Sequence, residues 1–213
     1  MIKSVIFDFD GTLVDSNQIK RQEFFNVTSD LPFPNGIMRA ILEDSRVGDR
    51  YDIFKCYANH LKEECNYVVN ASELAYQYTV LCENKIIQAN SIKGADNALI
   101  TLNKIDIKVV ISSATPFETL NKIIKNRSIG HLIDNIFGSP ESKEEHISKV
   151  IKIYNLEPKE ILYIGDSEND RKAASTSKCN FVGVGKDYSR FSKKPQNLVI
   201  SLDSIVDLIN QFN

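Results

Sequence analysis

The sequence has no apolar run long enough to cross a bilayer. Its longest uncharged stretches, Leu74–Cys82 and Val109–Phe117, are about half of the ~18 residues a span requires. It also lacks a secretory leader pattern, because the apolar run Val5–Phe7 meets Asp8 before a signal core can form. A cytoplasmic protein without a membrane partner is therefore expected. Neither sign of charge dominates: 26 Lys and Arg stand against 28 Asp and Glu, a net charge of −2. That balance argues against a broad nucleic-acid-binding face, so no nucleic-acid partner is expected. The four cysteines, Cys56, Cys65, Cys82 and Cys179, contain no C-x-x-C pair, which speaks against a zinc site or redox motif and for reduced, mostly buried thiols. The histidines, His60, His131 and His146, are too scattered for a metal site or a triad, and His146 reads as a surface residue. No internal repeat or low-complexity tract is present.

What is there is an ordinary globular composition, 213 residues with 42% hydrophobic side chains, enough for a proper core. Strand-like runs fall at Lys3–Phe9, Ile107–Ser112, Ile161–Ile164, Asn180–Val184 and Asn197–Ser201. Several are continuously apolar, as central parallel strands covered on both faces should be. Helical stripes lie between them, such as Ile147, Val150, Ile151 and Tyr154. Alternating strands and helices predict an α/β fold, with a Rossmann-like central parallel sheet between helices. From Ser16 to Ser91 the pattern is helical only, with Asp30–Gly36 as a break. This predicts an all-helical insertion, 16–91, after the first strand of a core formed by 1–15 and 92–213.

Three segments carry candidate chemistry. The first strand ends in Asp8-Phe9-Asp10-Gly11-Thr12; side chains two apart point the same way, so Asp8 and Asp10 share a side. The strand end is where open α/β sheets bind ligands, although an Asp-Gly turn alone only ends a strand. The second segment places Ser112 and Ser113 in a strand-to-helix turn that favours an anion, ahead of Thr115-Pro116-Phe117-Glu118, which reads as a capping box. Plain turn chemistry is the competing reading of Ser112. The third is Ile164-Gly165-Asp166-Ser167-Glu168-Asn169-Asp170, whose acids read either as metal ligands or as a helix cap and first-turn acid. An EF-hand is excluded because Arg171 stands where glycine is required. Carboxylates without histidine or thiol suit a hard cation such as Mg²⁺. Four of them at one site also call for a basic residue, and Lys143, at the start of the preceding helix, is the candidate; a solvated lysine is its alternative. Gly183-x-Gly185-Lys186 is not a P-loop, since Asn180 occupies its upstream glycine position.

Asp8–Thr12, Ser112, Lys143 and Gly165–Asp170 resemble, in order and at the strand ends, the four motifs of the haloacid dehalogenase-like superfamily. The helical insertion resembles that superfamily's C1 cap. The resemblance implies Asp8 as nucleophile and Asp10 as general acid/base. It implies Ser112 (with Ser113 beside it) and Lys143 as phosphate-holding residues, with Lys149 as runner-up for the lysine. It further implies Asp8, Asp10 through its carbonyl, and Asp166 as Mg²⁺ ligands, with Asp170 behind. Asp10 favours phosphoryl chemistry within the superfamily, because a halide leaves without protonation.

The implied activity is hydrolysis of a small phosphorylated metabolite, a phosphate monoester, through an aspartyl-phosphate. The alternatives are a phosphomutase of the β-phosphoglucomutase type and a non-enzymatic phosphate-binding regulator. Arg46 and Arg50, between two insertion helices, are candidate specificity residues for a second anionic group of the substrate, with solvated arginines as the alternative.

Overall fold

Strand β1 (Ser4–Phe7) is four residues long and every one of its side chains is buried. A strand with no polar alternation must be covered on both faces, which places it inside a sheet flanked by helices. In the computed structural model, which describes residues 1–32, 34–44 and 48–213, that is its position. The other strands are β2 (Lys108–Pro116), β3 (Asn135–Ser139), β4 (Ile161–Gly165), β5 (Asn180–Val184) and β6 (Asn197–Val199). They form one six-stranded sheet in the order β3-β2-β1-β4-β5-β6, every pairing parallel. Phe7 is in register with Ile111 of β2 and Ile164 of β4, so β1 and β4 finish almost together while β2 runs on to Pro116. The chain winds outward from β1 in both directions, so the switch point of the sheet lies at its carboxyl end.

The predicted α/β class and parallel sheet are correct, but the sheet has one strand more than the sequence pattern shows. β3 is a half-buried edge strand, Asn-Ile-Phe-Gly-Ser, too short and too mixed to show a period. Its Gly138 lies so close to β2 that a Cβ would stand 2.6 Å from the Thr115 carbonyl oxygen. The expected capping box at Thr115 does not form. β2 continues through Pro116, which pairs with Ser139, and helix α6 (Phe117–Asn126) starts without a side-chain cap. The thiols are free, with Cys82 buried and the other three only half-buried.

The chain separates into two compact units, Met1–Ser16 with Ile87–Asn213, and Asn17–Ile86. The second is helical, with α1 (Asn17–Val27), α2 (Pro34–Glu43), α3 (Arg50–Cys65) and α4 (Ala71–Gln88, whose last residues belong to the first unit). Its core includes Phe24, Phe54 and Tyr78, and the Phe24 and Tyr78 rings stack at 4.2 Å. Asp49 caps α3 in a reciprocal box with Asp52. No helix among the described residues is long and apolar enough to cross a membrane.

In the first unit, α5 (Ala95–Lys104) packs on β2 and against α9 (Ile205–Asn210), while α7 (Lys143–Tyr154) and α8 (Glu168–Thr176) pack on one another. Ile6, Val110 and Tyr163 from three adjacent strands meet Ile147 and Val150 of α7 and Ala173 and Ala174 of α8 in one buried cluster. The two alanines let α8 approach the sheet closely. Ile6 is fully buried at the centre of this layer, so Ile6→Ala should destabilise the fold by about 2–5 kcal/mol through lost burial and the cavity left behind. Urea unfolding followed by tryptophan-independent circular dichroism is the check, with the loss read as a lower midpoint.

Candidate active site

β1 ends at Phe7, and the next residue, Asp8, is buried with its amide still donating to the Ile164 carbonyl at 2.8 Å. The neighbouring strand β4 ends at Gly165 and delivers Asp166; the first turn of α8 delivers Asp170. Ligand atoms of Asp8, Asp166 and Asp170, all three buried, lie within 4.8 Å of one another. Gly165 permits this, because a Cβ there would stand 2.4 Å from the Asp170 carboxyl carbon. The cap of α8 is Ser167, not Asp166: its hydroxyl accepts the Asp170 amide, and Asp170 in return accepts the Ser167 amide at 3.0 Å. Both of the uses foreseen for Asp170 therefore coexist, helix capping with one carboxylate oxygen and the acidic cluster with the other.

Lys143, the first residue of α7, reaches into this cluster. Its ammonium donates to Asp8 Oδ1 at 2.6 Å and to Asp170 Oδ1 at 2.5 Å, with the side chain 12% exposed. The helix start is fixed by a capping box between Ser142 and Glu145. Lys149 is instead on the outside, paired with Glu141 at 2.5 Å. Burial works to lower the Lys143 pKa, but Asp8, Tyr163 and Asp170 outweigh it and hold the ammonium protonated well beyond the usual lysine range. Burial raises the Asp8 pKa well above the carboxylate range; Lys143 opposes it, and Asp170, Asp166 and Asp10 add to it. Asp8 and Asp170 thus share one buried ammonium, and the balance still disfavours charge on Asp8.

Asp10 is placed by a tight turn in which Gly11 takes φ +80° and its amide donates to Val14 at 2.7 Å. Its carboxylate lies outside the three-acid group. Oδ1 accepts the Ser16 hydroxyl at 2.6 Å and Oδ2 accepts the Thr115 hydroxyl at 3.0 Å. The two serines of β2 part company. Ser113 Oγ accepts the Thr115 amide at 3.0 Å, and its proton has no acceptor among the described residues. The Ser112 hydroxyl is committed to the core: it contacts His146 Nδ1 at 2.9 Å and accepts the Tyr163 phenol at 3.2 Å. The expectation that Ser112 holds phosphate is corrected accordingly, because its one hydroxyl is fully buried and already bonded. His146 is likewise not a surface residue but fully buried, stacked on Phe137 at 5.4 Å.

Arg190 pairs with Asp166 through its guanidinium. Nothing in the sequence singles it out, since it lies in an irregular basic segment beyond β5. Of the two arginines proposed for specificity, Arg46 lies outside the described residues. Arg50 is the first residue of α3, donates to Thr79 Oγ1 at 3.1 Å and lies over the Tyr78 ring at 5.8 Å.

Comparison with known proteins agrees with this fold. The profile of the family described as haloacid dehalogenase-like hydrolase matches residues 5–184. A phosphoglycolate phosphatase of Pasteurella multocida is 23% identical over 201 residues, covering 88% of this chain and 87% of that one. Among solved structures, a predicted phosphoglycolate phosphatase from Haemophilus somnus 129PT superposes with a TM-score of 0.80 at 20% identity, over 98% of each chain. A β-phosphoglucomutase from Clostridium difficile does so with a TM-score of 0.77 at 20% identity, over 100% of this chain and 97% of that one.

Because Lys143 is the ammonium that Asp8 and Asp170 share, Lys143→Met should cost about 3–5 kcal/mol of stability, the usual penalty for stranding a buried charge. Chemical denaturation with a chelator present reads this directly, and a loss below about 1 kcal/mol would show that the acids are not dependent on the lysine.

Proposed function

Because the chain belongs to the haloacid dehalogenase-like hydrolase family, we propose that it is a phosphatase that hydrolyses a small phosphate monoester through a covalent intermediate on Asp8. The observation that carries this reading is Asp8 itself. It is a buried carboxylate at the end of the central strand, 2.6 Å from a protonated lysine, with a second, separately held acid two residues on. The phosphatase relatives support the same reaction class.

An Asp8 carboxylate oxygen attacks phosphorus, and the bond from phosphorus to the ester oxygen breaks. Asp10 donates its proton to that leaving oxygen. It then takes a proton from water as the water attacks the aspartyl-phosphate, which frees inorganic phosphate and restores Asp8. Lys143 and the Ser113 hydroxyl are the donors for the non-bridging oxygens, so most of the catalysis is orientation and charge. Ser113 replaces Ser112 in this role because its proton is uncommitted.

The donor set fits Mg²⁺. Asp8, Asp166 and Asp170 are hard oxygen donors with no imidazole or thiolate among them, and because burial raises the Asp8 pKa, positive charge beside it favours the ionised nucleophile. Asp8, Asp166 and the Asp10 carbonyl would hold the ion, with Asp170 behind. Once bound, it supplies the charge that lets a carboxylate approach a phosphate dianion. Substrate choice is assigned to the helical unit acting as a cap, with Arg46 and Arg50 as candidates for a second anionic group.

The test is phosphate release from a panel of phosphorylated metabolites with and without Mg²⁺. Release should need the metal and vanish in Asp8→Asn. Asp10→Asn should keep phosphate binding while turnover falls by about 10²–10⁴; near-wild-type turnover would sink the acid/base role. Turnover that needs a sugar bisphosphate would point to a mutase, and phosphate binding without turnover to a regulator. Independently of activity, Mg²⁺ at a hundred times its dissociation constant should stabilise the fold by about 2.7 kcal/mol. Calorimetry should show that shift reduced or lost in Asp166→Ala.

A further inference from the structure

Beside the acidic cluster, on the side of α7, lie three polar side chains that no step above uses. Ser112, His146 and Tyr163 are each fully buried. Tyr163 donates its phenol proton to Ser112 Oγ at 3.2 Å, and Ser112 Oγ lies 2.9 Å from His146 Nδ1. Burial holds the tyrosine well above its ordinary pKa, so the phenol keeps its proton. Burial also lowers the His146 pKa, against the Gly138 carbonyl and Glu141, with Lys143 and Lys149 adding to the lowering. The balance favours the neutral ring. With the phenol proton directed at Ser112, the serine hydroxyl can donate to Nδ1 of the tautomer protonated on Nε2. The bonds then run one way, Tyr163 to Ser112 to His146. At the far end Nε2 is buried without a hydrogen-bond partner, 4.0 Å from Glu141 Oε2.

Such a chain is costly for a core, which would be served more cheaply by apolar side chains of the same volume. Its value lies in what it joins. Tyr163 is on β4, three residues before Asp166. Ser112 is on β2, next to Ser113. His146 is on α7, three residues after Lys143 and so on the same helix face. We propose that His146 is a positioning residue: its bond to Ser112 fixes the first turn of α7 against β2, and so sets Lys143 in place relative to Ser113 and Asp8. This rests on the phosphatase reading, in which Lys143 and Ser113 hold the phosphate.

The test compares His146→Leu, His146→Asn, Ser112→Ala and the double variant Ser112→Ala/His146→Leu. Two readouts are used: kcat and KM on the best ester, and the affinity for inorganic phosphate by calorimetry. Leucine fills the volume without an acceptor. Asparagine places its amide oxygen close to where Nδ1 stands and can accept the Ser112 proton. His146→Leu and Ser112→Ala should each lower kcat/KM and weaken phosphate binding by about tenfold or more, the scale of a sub-ångström misplacement of a binding group. His146→Asn should stay within about threefold of wild type, and the double variant should be no worse than the poorer single, since both break one linkage.

A purely structural role predicts something else: lower melting temperatures, unchanged kcat/KM and phosphate affinity per folded molecule, and asparagine no better than leucine. Either of those last two results overturns the proposal. Ser112→Ala removes a single oxygen and carries the test if His146→Leu does not fold. A wild-type protein that neither releases nor binds phosphate overturns the phosphatase reading and this inference with it, whereas an active wild type with an unimpaired His146→Leu overturns this inference alone.

Discussion

Three buried carboxylates, two of them sharing one buried ammonium and the third paired with Arg190, are the constraint around which the first unit is organised. Like charges at such separations repel by several kcal/mol even at an effective dielectric of about 20. Lys143 and Arg190 offset part of that repulsion, and the chain holds Asp8, Asp166 and Asp170 together against the rest. β1 and β4 are paired in register up to Phe7 and Ile164, which brings their next residues level. Gly165 lets the first turn of α8 come down onto that end of the sheet, and the Ser167–Asp170 box locks the turn. The Ser142–Glu145 box does the same for α7, so Lys143 arrives from a fixed helix start. The packing of Ile6, Val110 and Tyr163 against both helices offsets a cluster that would otherwise fly apart. Local stability is lost at the site and regained one layer below it.

Asp10 has a different problem, because an acid/base must be comfortable both with and without its proton. Two of its partners are hydroxyls, Ser16 and Thr115. A hydroxyl can donate to a carboxylate oxygen or, after a small rotation, accept from a protonated one. An ammonium or guanidinium in either position could only donate and would fix Asp10 as an anion. These two rotors therefore suit proton transfer, while Asp8, beside the lysine, suits attack. Two acids two residues apart on one strand end receive distinct environments from the turn at Gly11.

Much of this was legible in the sequence, and what was not has physical causes. The continuous apolar strands announce a covered parallel sheet, and Asp8, Asp10, Asp166, Asp170 and Lys143 stand where strand ends and helix starts put them. β3 escaped because an edge strand is half-buried and needs no sustained pattern; Asn135–Ser139 has one glycine and two polar residues in five. The Thr115 capping box was a sound local reading overridden by tertiary structure, since β2 gains a pairing with β3 by running on to Pro116, and the Thr115 hydroxyl gains Asp10. His146 was misread for a related reason. A single histidine carries no sign of burial, and its partner Ser112 is 34 residues away in the chain. Arg190 gave no signal, because an arginine in an irregular loop looks the same whether it meets solvent or Asp166.

The serine pair shows how fine the limit is. Consecutive residues of a strand face opposite sides, so Ser112 and Ser113 cannot serve one ligand alike, yet by composition they are indistinguishable. The choice is made by what lies on either side. On one side Tyr163 offers a proton and His146 a lone pair, which together consume everything a hydroxyl can give and take in that plane. On the other, among the described residues, Ser113 Oγ meets the Thr115 amide alone, which uses a lone pair and leaves the proton. A phosphate oxygen needs a donor, so the serine with the spare proton is the one suited to it. The serine without one is suited to tying its strand to the helix that carries the lysine. A one-residue shift in reading a motif thus exchanges a ligand-binding role for a supporting one, and only the donor and acceptor count of the neighbours can tell them apart.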